Sequence, residues 1–307
     1  MTESSATALV STLDEALDLL RPYRTDDPAG RTPAEPLPSL LDQCEAALAT
    51  IAGPPPLRSI HHMACTGGTL ISRCLAALPN TVLLSEIDPL SRMHMSEVPR
   101  FSPTDLLRGL RQSVRPVSED DLIAIFAASV ETASQRLGAK GQHLIIRDHA
   151  HSHFATDTNP DTRPTLHEML AALGRVCSVV TVRHPLDSFL ALLVPGWEKH
   201  LEPPTLGEYA RRYTLFLDRH AGLPIVTYED FVADPDGKLQ QLSALLDLPY
   251  HPLATQFIDA VTLTGDSGRT GSVIAPRPRR PVPEAVEAQR QESPAYQALC
   301  ARLGYTP

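Results

Sequence analysis

The chain has little cysteine and none of it in pairs. Cys44, Cys65, Cys74, Cys177 and Cys300 are scattered through 307 residues with no C-x-x-C spacing. They read as reduced thiols in a cytoplasm. An excess of basic charge is also missing. Lysine and arginine total 27 against 36 aspartates and glutamates, a formal net charge of −9 at pH 7. That balance argues against a nucleic-acid partner, so any anionic ligand must be held by a local basic cluster. No apolar run reaches the length of a membrane span. The opening Met1-Thr2-Glu3-Ser4 has no basic region and no long apolar run behind it, so no signal peptide is expected. There is no internal repeat. The full nucleotide-binding pattern G-x-x-x-x-G-K-[ST] is absent, because no lysine follows the glycines of Thr66-Gly67-Gly68-Thr69.

What is present suits one α/β domain with additions. Apolar residues make up 42% of the chain, enough for a sizeable core. Residues 1–56 read as an N-terminal helical appendage. Leu9, Leu13, Leu17 and Leu20 share one helical face, as do Leu41, Cys44, Leu48 and Ile51. A proline-rich, charged loop from Pro22 to Pro38 separates them. Two amphipathic helices cannot bury themselves alone. They are expected to pack on the main domain or on a second copy of the chain, as a homodimer. Pro54-Pro55-Pro56 is a stiff boundary, and residues 57–307 form the main α/β domain.

In that domain strands and helices alternate. Strands are predicted over Ser59–Ala64, Thr81–Glu86, His143–His149, Val176–Val182 and Leu223–Tyr228. Helices are predicted over Pro103–Arg111, Glu119–Leu137, Leu166–Gly174, Pro185–Val194, Thr205–Arg219 and from Pro235 to about Asp247. Ser118 and Asp121 form a capping pattern. Five strands alternating with helices give a parallel, doubly wound sheet.

The first strand runs straight into Thr66-Gly67-Gly68-Thr69 and then into a helix carrying Leu70, Ile71, Cys74, Leu75 and Leu78. Two glycines let the backbone approach a ligand and tolerate positive φ. The helix N-terminus presents unpaired N–H groups and a positive dipole end, an anion site suited to phosphate. Plain turn geometry also uses glycine here. Two later stretches narrow the choice. One is Val179-Val180-Thr181-Val182-Arg183-His184-Pro185-Leu186-Asp187-Ser188-Phe189. The other is Tyr228-Glu229-Asp230-Phe231-Val232-Ala233-Asp234-Pro235.

In order and spacing, these three stretches resemble the sulfotransferases that use 3′-phosphoadenosine 5′-phosphosulfate (PAPS). The T-G-G-T turn looks like that family's 5′-phosphosulfate loop, R-H-P-L-D-S its 3′-phosphate signature, and Y-E-D-F-V-A-D-P its Y-E-D-L-x-x-D-P segment. The resemblance covers roughly residues 57–280. It implies a P-loop-like, three-layer α/β/α fold on a five-stranded parallel sheet. It also implies transfer of a sulfuryl group from PAPS to a hydroxyl or amine of a small-molecule acceptor. No metal, nucleic acid or membrane is expected to take part.

The resemblance assigns residues. Cys65, Thr66, Gly67, Gly68, Thr69 and Leu70 would line the 5′ phosphate. Arg183 would take the 3′ phosphate, with Ser188 replacing the family's serine, whose place here holds Ala191. Tyr228 would stack on adenine. Arg269-Thr270-Gly271 is similar to the family's R-K-G and would close over the nucleotide. His149 stands where the family's K-T-H places its catalytic base, in a segment that reads Arg147-Asp148-His149. Glu86 and Asp88 are rival bases at the end of the second strand. Other readings stay open. Arg183 could pair with Asp187, Tyr228 could be core, and Asp88-Pro89 could simply start a turn. His149, His151 and His153 alternate, so a strand would place them on one face, where a metal site or a loop of solvated histidines is the alternative to a single working His149.

One departure from the family carries the most weight. Where the family has a lysine or arginine at the bridging oxygen, this chain has Cys65. A missing cation costs several kcal/mol of transition-state stabilisation unless another serves. Arg147 and Arg73 are the candidates. The alternatives to a sulfotransferase are an ATP-dependent small-molecule kinase and a non-catalytic nucleotide-binding protein of the same fold.

Overall fold

The structure is a computed structural model that describes residues 12, 14–19, 39, 43, 54–93, 103–115, 117–156, 158–265 and 273–307. The chain divides into two compact units, Met1–Gly53 and Pro54–Pro307. In the first unit the described stretch 14–19 is helical. The rest of the expected appendage lies outside the described residues.

The second unit is built on a five-stranded parallel sheet of order β2-β3-β1-β4-β5. Its strands are β1 (Leu57–His62), β2 (Thr81–Ile87), β3 (His143–Asp148), β4 (Val176–Val182) and β5 (Ile225–Thr227). Every residue of β1 is buried, as expected of the central strand of a sheet covered on both faces. Alternation along the strands sorts two cores. Ile60, Ile145 and Val179 pack with α1 (Gly68–Ala76) and α9 (Pro235–Leu245) on one face. Leu144, Ile146, Val180 and Val182 meet the helices of the other face. These are α3 (Glu119–Gly138), α5 (Leu166–Ala171), α6 (Pro185–Leu193) and α7 (Leu206–Arg219). The result is the three-layer α/β/α architecture read from the sequence.

Several helix starts are capped by side chains. Ser118 and Asp121 close a full capping box on α3, and Asp234 caps α9 ahead of Pro235. The short α2 (Leu106–Arg111) is capped by Asp105. Two elements differ from expectation. The third strand stops at Asp148, and α4 (Ala150–Phe154) carries on, so His149, His151 and His153 do not alternate along a strand. The last strand is only three residues long, and Tyr228 opens α8 (Tyr228–Ala233) with Thr227 as its cap. Two C-terminal helices add to the fold, α10 (Glu284–Glu292) and α11 (Pro294–Leu303). The second places Tyr296, Leu299 and Cys300 in the core beside α7. At the carboxyl end of the sheet, Glu229 accepts from the His184 amide at 2.9 Å and from the Tyr305 hydroxyl at 2.6 Å, tying α6, α8 and the C-terminus together.

Candidate functional site

The carboxyl ends of β1, β2, β3 and β4 converge on one loop, where open α/β sheets hold ligands. The loop leaves β1 at His62 and enters α1 at Gly68. Cys65 and Gly67 both have positive φ, 63° and 89°. Gly67 needs its missing side chain twice over, because a Cβ there would lie 2.2 Å from the Tyr228 ring. The His62 ring covers Gly68 as closely, with its nearest atom 2.3 Å from where a Cβ would be. Leu70, Ile71, Cys74 and Leu75 are buried beneath. Burial of each such apolar side chain contributes about 1.5–3 kcal/mol, so the loop rests on a firm base. Among the described residues, the amides of Gly67, Gly68 and Thr69 have no backbone acceptor. They are the orphan donors a helix start offers an anion. The amides of Thr66 and Leu70 are engaged, with Met63 O and Gly67 O. Two expected contacts therefore change. The Thr66 hydroxyl donates to Met63 O at 2.8 Å inside the loop, and the Leu70 side chain belongs to the core.

Arg147 fills the place beside this loop. It is 3% exposed and every guanidinium nitrogen is engaged. One Nη donates to Thr69 Oγ1 at 2.9 Å, the other to Ser85 Oγ at 2.9 Å and to Thr264 O at 3.0 Å. Nε donates to His62 Nε2 at 3.2 Å. Glu86 Oε1 is 3.4 Å away. Burial lowers the pKa of Arg147 and holds His62 well down, so His62 is neutral and accepts from the guanidinium. Arg73, the other candidate cation, is turned away. It binds Ile258 O at 2.6 Å and Val261 O at 3.1 Å.

Thr264 and Gly265 were not foreseen. Gly265 has φ +85°, and a Cβ on it would sit 2.9 Å from Thr69 Oγ1 and 3.0 Å from Glu86 Oε1. Only glycine lets this segment cross so close to Arg147. No local motif announces it.

Cys65 carries no charge, since burial pushes its thiol up to about 12. Its positive neighbours are Arg183 and Arg280. Arg183 Nη1 donates to Cys65 O at 3.4 Å, and its guanidinium lies 4.8 Å over the Tyr228 ring centre. Asp187 does not pair with Arg183; it binds Arg279 Nε at 2.7 Å. Ser188 differs from expectation. It is fully buried and donates to His184 O at 3.1 Å, so it packs inside α6 and is no anion contact. Arg269, Thr270 and Gly271 lie outside the described residues.

The two rival carboxylates separate sharply. Asp88, its side chain 7% exposed, receives both Nη groups of Arg163 at 2.9 Å, the Leu90 amide at 2.9 Å and the Ser152 hydroxyl. Burial raises its pKa, but Arg163, Ser152 and Leu90 together outweigh that and hold it below the usual range. It is a structural anchor. Glu86 stays at the loop with φ 59°, where β2 breaks register. His149 caps α4, half-buried, with its ring 6.0 Å from that of His151. His151 meets the Trp197 ring at 5.0 Å, and burial lowers its pKa to about 4. His153 turns off to Pro160 O at 3.0 Å.

A second polar cluster lies on the other face of the sheet. His61 Nδ1 is 2.8 Å from Asp148 Oδ2, and His61 Nε2 is 2.8 Å from Ser59 Oγ. This is the connectivity of a nucleophilic triad. However, Ser59 and His61 are 0% exposed, so no substrate reaches them.

The family model described as "Sulfotransferase family" matches residues 60–252. The chain belongs to the sulfotransferase family. The match contains the loop, the Arg183 segment and the start of α9. Among solved structures, the sulfotransferase domain of the Synechococcus PCC 7002 olefin synthase is similar at 19% identity and TM-score 0.49. The alignment covers 83% of this chain and 96% of that one. A sulfotransferase from Alicyclobacillus acidocaldarius is similar at 15% identity and TM-score 0.44, covering 82% and 97%. No curated protein matches. Among the described residues of this sulfotransferase-family chain, no helix is long and apolar enough to cross a membrane.

Proposed function

We propose that the protein transfers the sulfuryl group of PAPS to a hydroxyl or amine of a small-molecule acceptor. The observation that carries this reading is Arg147. Its guanidinium donates to Thr69 on the first turn behind the two-glycine loop, so a permanent cation stands where Cys65 offers none. Family membership supplies the reaction class.

The free amides of Gly67, Gly68 and Thr69 suit the 5′ phosphate. Arg183, next to the loop and unattached to Asp187, suits the 3′ phosphate, since a guanidinium binds phosphate in a two-pronged geometry. Tyr228 supports Arg183 and the loop at once. Arg147 and the loop amides stabilise the charge that develops on the bridging oxygen as its bond to sulfur breaks. His149 takes the acceptor's proton as the new bond to sulfur forms. The products are the sulfated acceptor and adenosine 3′,5′-bisphosphate. Glu86, 3.4 Å from Arg147, holds that cation in place and remains the rival base. The free thiols favour a cytoplasmic setting.

A thermal-shift panel tests the donor. Adenosine 3′,5′-bisphosphate should raise the melting temperature well above AMP or ATP with magnesium. A larger rise with ATP and magnesium, or none with any nucleotide, would overturn the reading.

A further inference from the structure

We propose that His61, Asp148 and His220 form a structural site for one divalent transition-metal ion, with zinc the best match to the donors. Two imidazole nitrogens and one carboxylate oxygen are a donor set zinc accepts. The three ligand atoms lie within 4.8 Å of one another, and all three residues are buried. They come from β1, from the end of β3 and from the segment after α7, so the ion would cross-link three elements distant in sequence.

The spacing fits an ion. Two ligands each about 2.1 Å from a tetrahedral zinc lie about 3.4 Å apart. Asp148 Oδ2 is 2.8 Å from His61 Nδ1 and 4.0 Å from His220 Nε2, which brackets that value. Hydrogen bonding alone leaves the cluster incomplete. His220 Nε2 is buried with no hydrogen-bond partner, and Asp148 Oδ2 lies 4.0 Å from it. Buried polar atoms without partners are rare.

The outer nitrogens are arranged as metal-bound histidines require. His220 Nδ1 is 2.8 Å from Phe216 O. A carbonyl only accepts, so Nδ1 holds the proton and Nε2 presents a lone pair to the cluster. His61 Nε2 lies 2.8 Å from Ser59 Oγ. Ser59 Oγ is 2.7 Å from Ser178 Oγ, and Ser178 Oγ is 2.9 Å from His167 Nδ1, so both hydroxyls can turn either way. A carboxylate only accepts, so without an ion His61 Nδ1 holds the proton towards Asp148; an ion would take the Nδ1 lone pair and move the proton to Nε2, where Ser59 Oγ can accept it. His220 is fixed in the ligating tautomer by Phe216 O, and Ser59 Oγ gives His61 an acceptor for its outer nitrogen once an ion is bound. Three protein donors leave one position for a solvent oxygen.

Asp148 and Arg147 point to opposite faces of β3, so this ion stands apart from the nucleotide loop. The site is independent of the proposed reaction. Its effect is on the fold, where it would pin the strand end that carries His149.

Untagged protein, expressed with zinc and purified without chelator, is measured by inductively coupled plasma mass spectrometry. About one zinc per chain is expected for the wild type and for His251→Ala, a change at an exposed histidine. His220→Ala and Asp148→Asn should fall to background. Because either buried variant can misfold, the wild type supplies a second readout. Chelation during mild unfolding should lower the melting temperature on refolding, and added zinc should restore it. Cobalt loaded in its place should show tetrahedral visible bands that zinc abolishes. A zinc-free wild type whose melting temperature zinc does not raise overturns the proposal. So does a folded His220→Ala that keeps its zinc.

Discussion

Replacing Arg147 by methionine removes the cation beside Thr69 while keeping a long side chain. On the proposed mechanism this guanidinium opposes charge that appears only as the sulfur–oxygen bond breaks. Loss of one such preorganised donor costs about 2.7–4 kcal/mol, or about 10²–10³ in kcat. Stability falls as well. His62, Ser85 and Thr69 each lose a hydrogen bond, and Glu86 loses its ion pair. Removing one partner of a buried pair costs about 3–5 kcal/mol, and the 29% exposure of Glu86 places this case at the low end. The two effects are separable. Circular dichroism fixes a temperature at which the variant is folded, and turnover of labelled PAPS is measured there. Arg147→Lys should recover part of the rate, since it restores charge but not the fork that reaches Thr69, Ser85 and His62 together. Affinity for adenosine 3′,5′-bisphosphate should move less than about tenfold, or about 1.4 kcal/mol. A folded Arg147→Met that keeps kcat within about threefold of wild type refutes the assignment.

Arg183→Ala should cost about 1.5–3 kcal/mol of adenosine 3′,5′-bisphosphate affinity and little of AMP affinity, since it removes a charged hydrogen-bond donor; calorimetry with both nucleotides gives the comparison, and equal losses contradict it. His149→Ala should slow turnover by about 10²–10⁴ and leave nucleotide affinity near wild type. If His149→Ala keeps full rate while Glu86→Gln abolishes it, the base is the carboxylate. The Asp88–Arg163 pair sets an acid limit on stability. The folded pKa of Asp88 lies below its unfolded value near 3.9, so its contribution is complete above that value. It is lost as pH falls through the lower, folded pKa. Asp88→Asn should therefore melt lower at neutral pH and lose less stability than wild type on acidification, as read by denaturation at a series of pH values.

The sheet and the loop were legible because their signals are local. Thr66-Gly67-Gly68-Thr69 sits between an apolar run and a helical period, and only Gly67 proves to need positive φ. The α9 start at Asp234-Pro235 was legible for the same reason. Alternation misled at His149, His151 and His153. A period of two over five residues is also what one short helical turn can show, and α4 begins there. Helix α11 was missed, although Ser293-Pro294 is a cap followed by Tyr296, Leu299, Cys300 and Leu303 at helical spacing. The proline-rich run before it drew the reading towards loop. Ser188 shared a helix with Arg183's segment, but spacing alone could not show that its hydroxyl turns back to His184 O. Two groupings had no signal at all. Gly265 meets Thr69 and Glu86 across the fold, and His220 meets Asp148 from another element. Such contacts exist only once the chain has folded.

The most direct measurement is turnover itself. Wild-type protein is incubated with PAPS labelled in the sulfuryl group and with a metabolite extract as acceptor source. Release of adenosine 3′,5′-bisphosphate and transfer of label are followed together. Label should move to small molecules in step with bisphosphate release, and Arg147→Met should slow both equally. Tight binding of adenosine 3′,5′-bisphosphate with no transfer of label to any acceptor would contradict a working sulfotransferase and leave a nucleotide-binding protein of the same fold.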